Sequence, residues 1–575
     1  MPVTFLVNRN VQGLPQFAST ILGTAATNTY ATVADGSGNI YTCGNYTSTS
    51  SVSILNGVQG SAPSGTTCTL PISGSTGSVS SAYLIKYYSN GSAQYSLSII
   101  GTSPTGAYNV ILDPTGTFLY LVINYSNATS TLAVNTPTTA GGTVSSGWIL
   151  PAPTVTGVNA IGIIKILAST GAIQWTAGMD FTSAVTSASS PTETDYGLAV
   201  DSVGNLYLSG NYNEPSAVGS VFLYNAAASA GVATISSYYL PALTSTTNTA
   251  FLVKFSSGGQ AVFATPILFS TTGGATSFNC IVDPTNTYVY VVGSYSNSAG
   301  AAIYQVSGFT GGTSGSTLPI SAGTSGASTS GFIIRYTTAG AYSASSTLGS
   351  VGSTGTYLAT GNCQYYGLAI APNGNIYVGG SYISTSAVTI NNTNSSVASS
   401  TTVTVPIQTT TQGVAVLVKY TPALVATYAS VINPAATAST LPVIYSVAVD
   451  SSDVNVFIAL RYSSTNAAGV NVSNYFTTGT PGTSAVNLPV TASTFNAMSM
   501  VRYFLGNPLN QITMQNTAQV TVPMSVTIDP SNTSLLMSTS YQNTAAMAVP
   551  NSNGTTAFSV VLTATVQSGM FLKVS

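Results

Sequence analysis

The chain has 575 residues, of which nine are Lys or Arg, eleven are Asp or Glu, and none is His. An ordinary domain has about 25% charged residues, so the 3% found here excludes the basic stripe that nucleic-acid binding needs, and the lack of imidazole excludes histidine triads and histidine metal sites. With 44% hydrophobic residues and almost no self-repulsion, the composition supports a packed core and not a disordered chain.

In chain order, the opening MPVTFLVNRNVQG has no basic region followed by an apolar stretch, so no secretory signal is expected. No run of 18 apolar residues follows, and no membrane span is expected. Cys43, Cys68, Cys280 and Cys363 are too few and too scattered for a disulfide framework. Cys43 and Cys68 are close enough in sequence to bridge, and the alternative is four small buried residues.

A repeat then dominates the chain. DGSGNIYTCGNY from Asp35 is followed by related segments from Asp113, Asp201, Asp283, Ala371, Asp450 and Asp529, 78 to 88 residues apart. Alternating β-branched and aromatic residues on both sides of an Asp-x-x-Gly turn predict a hairpin, strands A and B. A second hairpin, strands C and D, follows in segments such as AYLIKYYSNGSAQYSLSI and AFLVKFSSGGQAVFATPI. Its cations are Lys86, Lys165, Lys254, Arg335, Lys419, Arg502 and Lys573, seven of the nine positive charges. Six of the eleven acids occupy the first position of the A–B turns.

Four antiparallel strands per unit and seven units predict an all-β, seven-bladed β-propeller with four-stranded blades. The pattern resembles the SBBP-type seven-bladed propeller repeat family, most closely in DSVGNLYLSGNY with AFLVKFSSGGQAVF, and in IKILASTGAIQW with its Trp175. Ala371 departs from it at the Asp position. The resemblance implies a fold and no common activity. Residues 1–27 are expected to close the ring, and 28–105, 106–190, 191–272, 273–358, 359–436, 437–519 and 520–575 to form blades 1 to 7. The last unit stops after MFLKVS, a strand C, and residues 14–22, LPQFASTIL, match a strand D. They are expected to complete that blade and leave no free edge. Residues 5–9, FLVNR, form a surplus strand C that pairs either within the molecule or with a neighbouring one.

Each unit is nearly twice the 40–45 or so residues that a simple blade needs, and the surplus falls between strands B and C. Echoes such as VSILNG with TLPIS and VFLYNA with YLPAL predict a β-hairpin insert there, and strand direction predicts that the inserts form an extra layer on one face.

The repeated Asp35, Asp113, Asp201, Asp283, Asp450 and Asp529 are expected to cap turns and not to bind calcium, since a calcium loop concentrates several carboxylates. The repeated cations are expected to cover apolar surface and to pair with those carboxylates or with blade carbonyls. Glu193, Asp195 and Asp201, with Glu214 beyond, form an acid cluster with no counterpart in other units. No catalytic residue, metal ligand or cofactor site is expected, and the protein is not expected to be an enzyme. The low charge and Ser/Thr/Gly richness predict a self-assembling structural or interaction protein of a virion surface or extracellular filament, with itself or other structural proteins as partners. The second reading is a lectin-like module that binds glycans or proteins through the insert face.

Overall fold

Each A–B turn is built by its own side chains. In the first, the Gly38 amide donates to the Asp35 carbonyl at 2.9 Å, and the Asp35 carboxylate accepts the amides of Ser37 and Asn39, both at 2.9 Å. Gly38 has φ 76°, in the left-handed region that glycine enters without strain. Asn286 and Asp453 hold the equivalent place in two other turns, with φ 57° and 58°.

The computed structural model describes residues 15–574 apart from connecting segments, the longest of them 182–195, 319–328 and 350–361. Every regular element among the described residues is a β-strand. β1 (Pro15–Leu22) precedes unit 1, which holds β2 (Thr27–Ala34), β3 (Ile40–Tyr46), β4 (Val52–Val58), β5 (Ser61–Leu70), β6 (Ser81–Tyr87) and β7 (Ala93–Ile99). Unit 2 holds β8 (Thr105–Leu112), β9 (Phe118–Tyr125), β10 (Leu132–Asn135), β11 (Ser145–Leu150), β12 (Ala160–Leu167) and β13 (Ile173–Phe181). Unit 3 holds β14 (Gly197–Val200), β15 (Leu206–Tyr212), β16 (Ser220–Asn225), β17 (Thr234–Pro241), β18 (Thr249–Phe255) and β19 (Ala261–Pro266), followed by the short β20 (Leu268–Phe269). Unit 4 holds β21 (Ala275–Val282), β22 (Tyr288–Tyr295), β23 (Ala301–Gln305), β24 (Thr313–Leu318), β25 (Ser330–Thr337) and β26 (Tyr342–Gly349). Unit 5 holds β27 (Cys363–Ile370), β28 (Ile376–Tyr382), β29 (Val388–Thr393), β30 (Ser399–Val405), β31 (Val414–Tyr420) and β32 (Ala426–Pro434). Unit 6 holds β33 (Thr440–Val449), β34 (Asn455–Ser463), β35 (Val470–Val472), β36 (Asn487–Leu488), β37 (Ala497–Phe504) and β38 (Asn507–Gln515). Unit 7 holds β39 (Ser525–Ile528), β40 (Leu535–Tyr541), β41 (Met547–Pro550), β42 (Thr556–Val560) and β43 (Ser568–Val574).

In each unit strands A, B, C and D form an antiparallel meander, for example β2-β3-β6-β7. Unit 7 takes its fourth strand from the other end of the chain: β1 lies antiparallel to β43, with Thr20 opposite Met570. The first strands touch in sequence, β2 with β8, then β14, β21, β27, β33 and β39, and β39 packs back on β2. Apolar side chains fill the space between neighbouring sheets. Tyr120, Ile163 and Trp175 of unit 2, for instance, pack with Leu206, Leu208 and Phe251 of unit 3. The surplus segment at residues 5–9 lies outside the described residues.

The inserts do not form a separate layer on one face. In units 1, 2, 3, 5 and 6 the hairpin extends the sheet of the preceding unit, giving orders such as β2-β3-β6-β7-β10-β11 and β8-β9-β12-β13-β16-β17, while β41-β42 of unit 7 form a two-stranded sheet of their own among the described residues. The hairpin of unit 1 joins unit 7 in the same way, with β4 pairing with β1. In unit 4 the pair β23-β24 joins β20, and Tyr304 donates its amide to Ile267 at the end of β19, at 3.1 Å. Two physical reasons favour this outcome. A strand D left at the rim would present unpaired amides and carbonyls, and a two-stranded hairpin alone is marginally stable in water. Pairing the two solves both problems and ties each unit to the one before it.

Candidate functional site

The first strand of each unit carries a large side chain five residues before the A–B turn: Tyr30, Tyr108, Tyr196, Phe278, Tyr366 and Tyr445, with Met524 of the seventh copy outside the described residues. In β2, β8, β21, β27 and β33 this residue is the one the ladder skips, as where the partners run from Thr29 to Ala31. Such a β-bulge re-aims the extra side chain. In units 1, 4 and 5 a glycine on the facing strand makes room for the bulge. A Cβ on Gly44 would stand 1.8 Å from the Asn28 carbonyl, and one on Gly293 would stand 2.1 Å from that of Thr276.

The bulged residues converge on a cavity of about 250 Å³, lined by residues from the first strand of every unit. Tyr30 and Tyr108 stack with centroids 5.0 Å apart and planes 8° apart, and Tyr196 meets Tyr108 edge-on at 6.1 Å. A second arc joins Phe278 to Tyr366 at 4.5 Å and Tyr366 to Tyr445 at 5.5 Å. Asn109, Asn279 and Ser446 also line the cavity, and among the described residues no Asp or Glu does. Amides fix the rings. The Tyr30 hydroxyl donates to Asn45 at 3.2 Å, Asn124 donates to the Tyr196 hydroxyl at 3.0 Å, and Asn109 donates to the Tyr196 carbonyl at 2.8 Å. The guanidinium of Arg461 lies over the Tyr445 ring, 5.3 Å from its centroid.

The charges singled out by the repeat lie elsewhere. Asp113 Oδ1 accepts the amides of Thr117 and Phe118, both at 2.8 Å. Asp201 accepts those of Val203 and Asn205, Asp283 those of Thr287 and Tyr288, and Asp450 those of Val454 and Asn455. Asp529 lies outside the described residues, as do Glu193, Asp195 and Glu214 of the acid cluster.

The repeated cations reach out of their own unit, which the sequence did not foretell. Lys86 donates to the Ser169 carbonyl at 3.3 Å, Lys165 to Ser257 at 2.9 Å, and Lys254 to Thr338 at 2.9 Å, in each case in the C–D turn of the next unit. Arg335 does the same to Pro422. Arg502 instead donates to Asn455 of its own unit at 2.9 Å. Lys573 lies in β43. Four of the lysines also sit over a strand-B tyrosine, Lys86 over Tyr41 at 5.4 Å, Lys165 over Tyr120 at 5.3 Å, Lys254 over Tyr207 at 4.9 Å and Lys419 over Tyr377 at 5.1 Å, an attractive geometry for a partly desolvated cation. Burial pulls the ammonium groups of Lys86, Lys165 and Lys254 below the ordinary lysine value, and the nearby turn aspartates offset part of that. Burial and then the Asp35 carboxylate push the Tyr41 phenol up.

Cys43, Cys68, Cys280 and Cys363 are all free and buried. The repeat of aromatics before the turn is visible in the sequence. The signal that marks it is its place: strand A alternates regularly, and the aromatic breaks that alternation, opposite a glycine in β3, β22 and β28.

No protein-family model matches the chain, the SBBP-type repeat included, and no curated protein matches it. Among solved structures, one described as "Structure of Dos1 propeller" aligns over 98% of this chain and 96% of its own, with 8% identity and a TM-score of 0.34.

Proposed function

We propose that the chain is a closed seven-bladed β-propeller that works without chemistry, as a structural and interaction component of an external assembly such as a virion surface or an extracellular filament. One observation carries this reading: the charged side chains of the repeat are used to join one unit to the next. Lys86, Lys165, Lys254 and Arg335 bind the carbonyls of the following unit, and the turn aspartates are saturated by their own amides. A catalyst needs a titratable group free to exchange protons with substrate, and these groups are already committed. The unbroken contact from β2 through β39 and back supports ring closure, and a net charge of −2 on 58.1 kDa leaves little repulsion to oppose association.

The test is light scattering and electron microscopy of the purified protein, with antibody labelling of native particles or filaments. Ordered assemblies and surface labelling are expected. A strictly monomeric protein at high concentration, absent from any particle, would refute the reading. The aromatic cavity favours a second reading, a recognition module. In that reading the binding surface is the centre and not the insert face, because the inserts are spent on the rims of neighbouring sheets.

A further inference from the structure

We propose that the place between β40 and β1 is a strand-binding site with two ligands in the same chain, β43 and residues 5–9, and that residues 5–9 close the ring whenever β43 leaves it. This rests on the ring-closure part of the reading above and is independent of assembly.

The seam at β1 differs from its counterparts in units 1 to 6. There strand D follows strand C through a turn, as β19 follows β18. β1 and β43 are joined by pairing alone, with Phe17 opposite Lys573, Ala18 opposite Leu572, Ser19 opposite Phe571 and Thr20 opposite Met570. Yet the sequence that leads into β1 spells a complete C–D hairpin. FLVNRNVQGLPQFASTIL, residues 5–22, aligns without a gap on FLVKFSSGGQAVFATPIL, residues 251–268, and eight of the eighteen positions are identical. Gly13 falls on Gly259, which holds the left-handed turn position of its hairpin with φ 79°. A strand that served only to pair with β43 would need no turn glycine in front of it.

The register of the aligned hairpin fixes where residues 5–9 would go. Phe251 lies opposite Pro266, Leu252 opposite Thr265, Val253 opposite Ala264 and Lys254 opposite Phe263. Transferred by the alignment, Phe5 would lie opposite Thr20, Leu6 opposite Ser19, Val7 opposite Ala18 and Asn8 opposite Phe17. Those are the partners that β43 takes, so the two segments compete for one place. Phe5 and Val7 would stand in for Met570 and Leu572, both fully buried, and a core tolerates such exchanges of one apolar group for another of similar size. Arg9 would stand in for Val574, also fully buried, and a charge there is costly. β43 is therefore the stronger ligand and residues 5–9 the reserve. The reserve is tethered to the site by a short turn, so little entropy is lost in docking it. It matters because departure of β43 alone would bare the edges of both β40 and β1.

The experiment uses the full chain with an aspartate at the equivalent position of either segment: Leu572→Asp, Val7→Asp and the double variant. Val7→Asp should leave the melting curve unchanged, because β43 holds the place. Leu572→Asp should lower the melting temperature modestly and leave the protein monomeric, because residues 5–9 take over. The double variant should lose more than the two single shifts together and associate as concentration rises. A second measurement reads the pairing itself. With Leu6→Cys and Ser19→Cys, residues opposed in an antiparallel pair, the Cα atoms would lie roughly 4.5–5.5 Å apart, within disulfide range. Oxidation of that pair under native conditions should be at least ten-fold faster when Leu572→Asp is also present. A Leu572→Asp protein as unstable as the double variant, or a cross-link that forms no faster with it, would overturn the reserve role and leave closure by β43 standing. A double variant that melts like the parent would overturn ring closure and the proposal with it.

Discussion

Asp453 supplies unit 5 with the carboxylate that Ala371 lacks. In units 1 and 3 the first turn residue accepts from a side-chain amide and a tyrosine of its own unit, as Asp35 does from Asn39 and Tyr41, both at 2.9 Å. In unit 5 the same donors, Asn375 and Tyr377, turn to Asp453 of unit 6, at 2.7 Å each. Asn373 joins them at 2.9 Å, and Lys419 forms the one ion pair among the described residues, at 3.2 Å. Burial alone would raise the Asp453 pKa, but the hydrogen bonds from Asn373, Tyr377 and Asn375 and the charge of Lys419 outweigh it and hold the carboxyl below its ordinary value.

Exchange of the two residues should therefore be compensatory. Asp453→Gly keeps the left-handed backbone but strands the buried Tyr377 hydroxyl and the half-buried Asn375 amide, at a cost of about 1–3 kcal/mol. Ala371→Asp added to it should restore most of the loss. Denaturant titration of both single variants and the double gives the coupling directly, and additive losses would disprove the substitution of one carboxylate by the other.

Stability should be nearly flat from about pH 5 to 8, because there is no histidine to titrate in that range and the depressed Asp453 loses its contribution only as pH falls through its folded-state value. Above pH 10 it should collapse. Burial raises the phenols of Tyr83, Tyr125 and Tyr336 well above 10, so the unfolded chain releases protons that the folded one retains, and stability present below pH 10 is lost as pH rises. The buried lysines act in the opposite sense just below pH 10.5, but are outnumbered. Phenolate absorbance should rise together with the loss of circular dichroism; ionisation well before unfolding would contradict this.

Burial pushes the thiols of Cys280 and Cys363 up to about 12 and raises those of Cys43 and Cys68 as well. Since the thiolate is the reactive form, an aromatic disulfide reagent at pH 8 should label none of the four over hours in the native protein, and all four in guanidinium. Rapid native labelling at any of them would show that its strand opens.

Replacing the insert Ser220–Pro241 by a short Gly-Ser linker removes the partners of Gly178–Phe181 in β13. The exposed edge should lower the melting temperature and cause concentration-dependent association. A monomeric variant with unchanged melting would mean that the inserts do not protect the rims.

The all-β class and the hairpins around Asp35 or Asp201 were legible because local rules set them: alternation makes the strands and a carboxylate caps the turn. The link from LPQFASTIL to the last strand was legible as a match of patterns, and β1 does pair with β43. The destination of the inserts was not. Their strands alternate like any others, and nothing in VFLYNA or YLPAL states that the partner is β13 of the unit before. The cavity was hidden for a similar reason. Tyr30 looks like a core residue until the extra backbone residue of its bulge turns it inward, and bulges depend on the facing strand.

The pairing of β4 with β1 also bears on synthesis. Leu22 and Ser568 are roughly 550 positions apart, so at about 5–20 residues per second β1 waits on the order of a minute for β43. Its partner β4 is only a few dozen residues away, and Thr20 can pair with Leu55 almost as soon as both leave the ribosome. The first hairpin insert therefore serves as an escort, holding one edge of the nascent N-terminal strand while the other edge waits for the last strand to arrive.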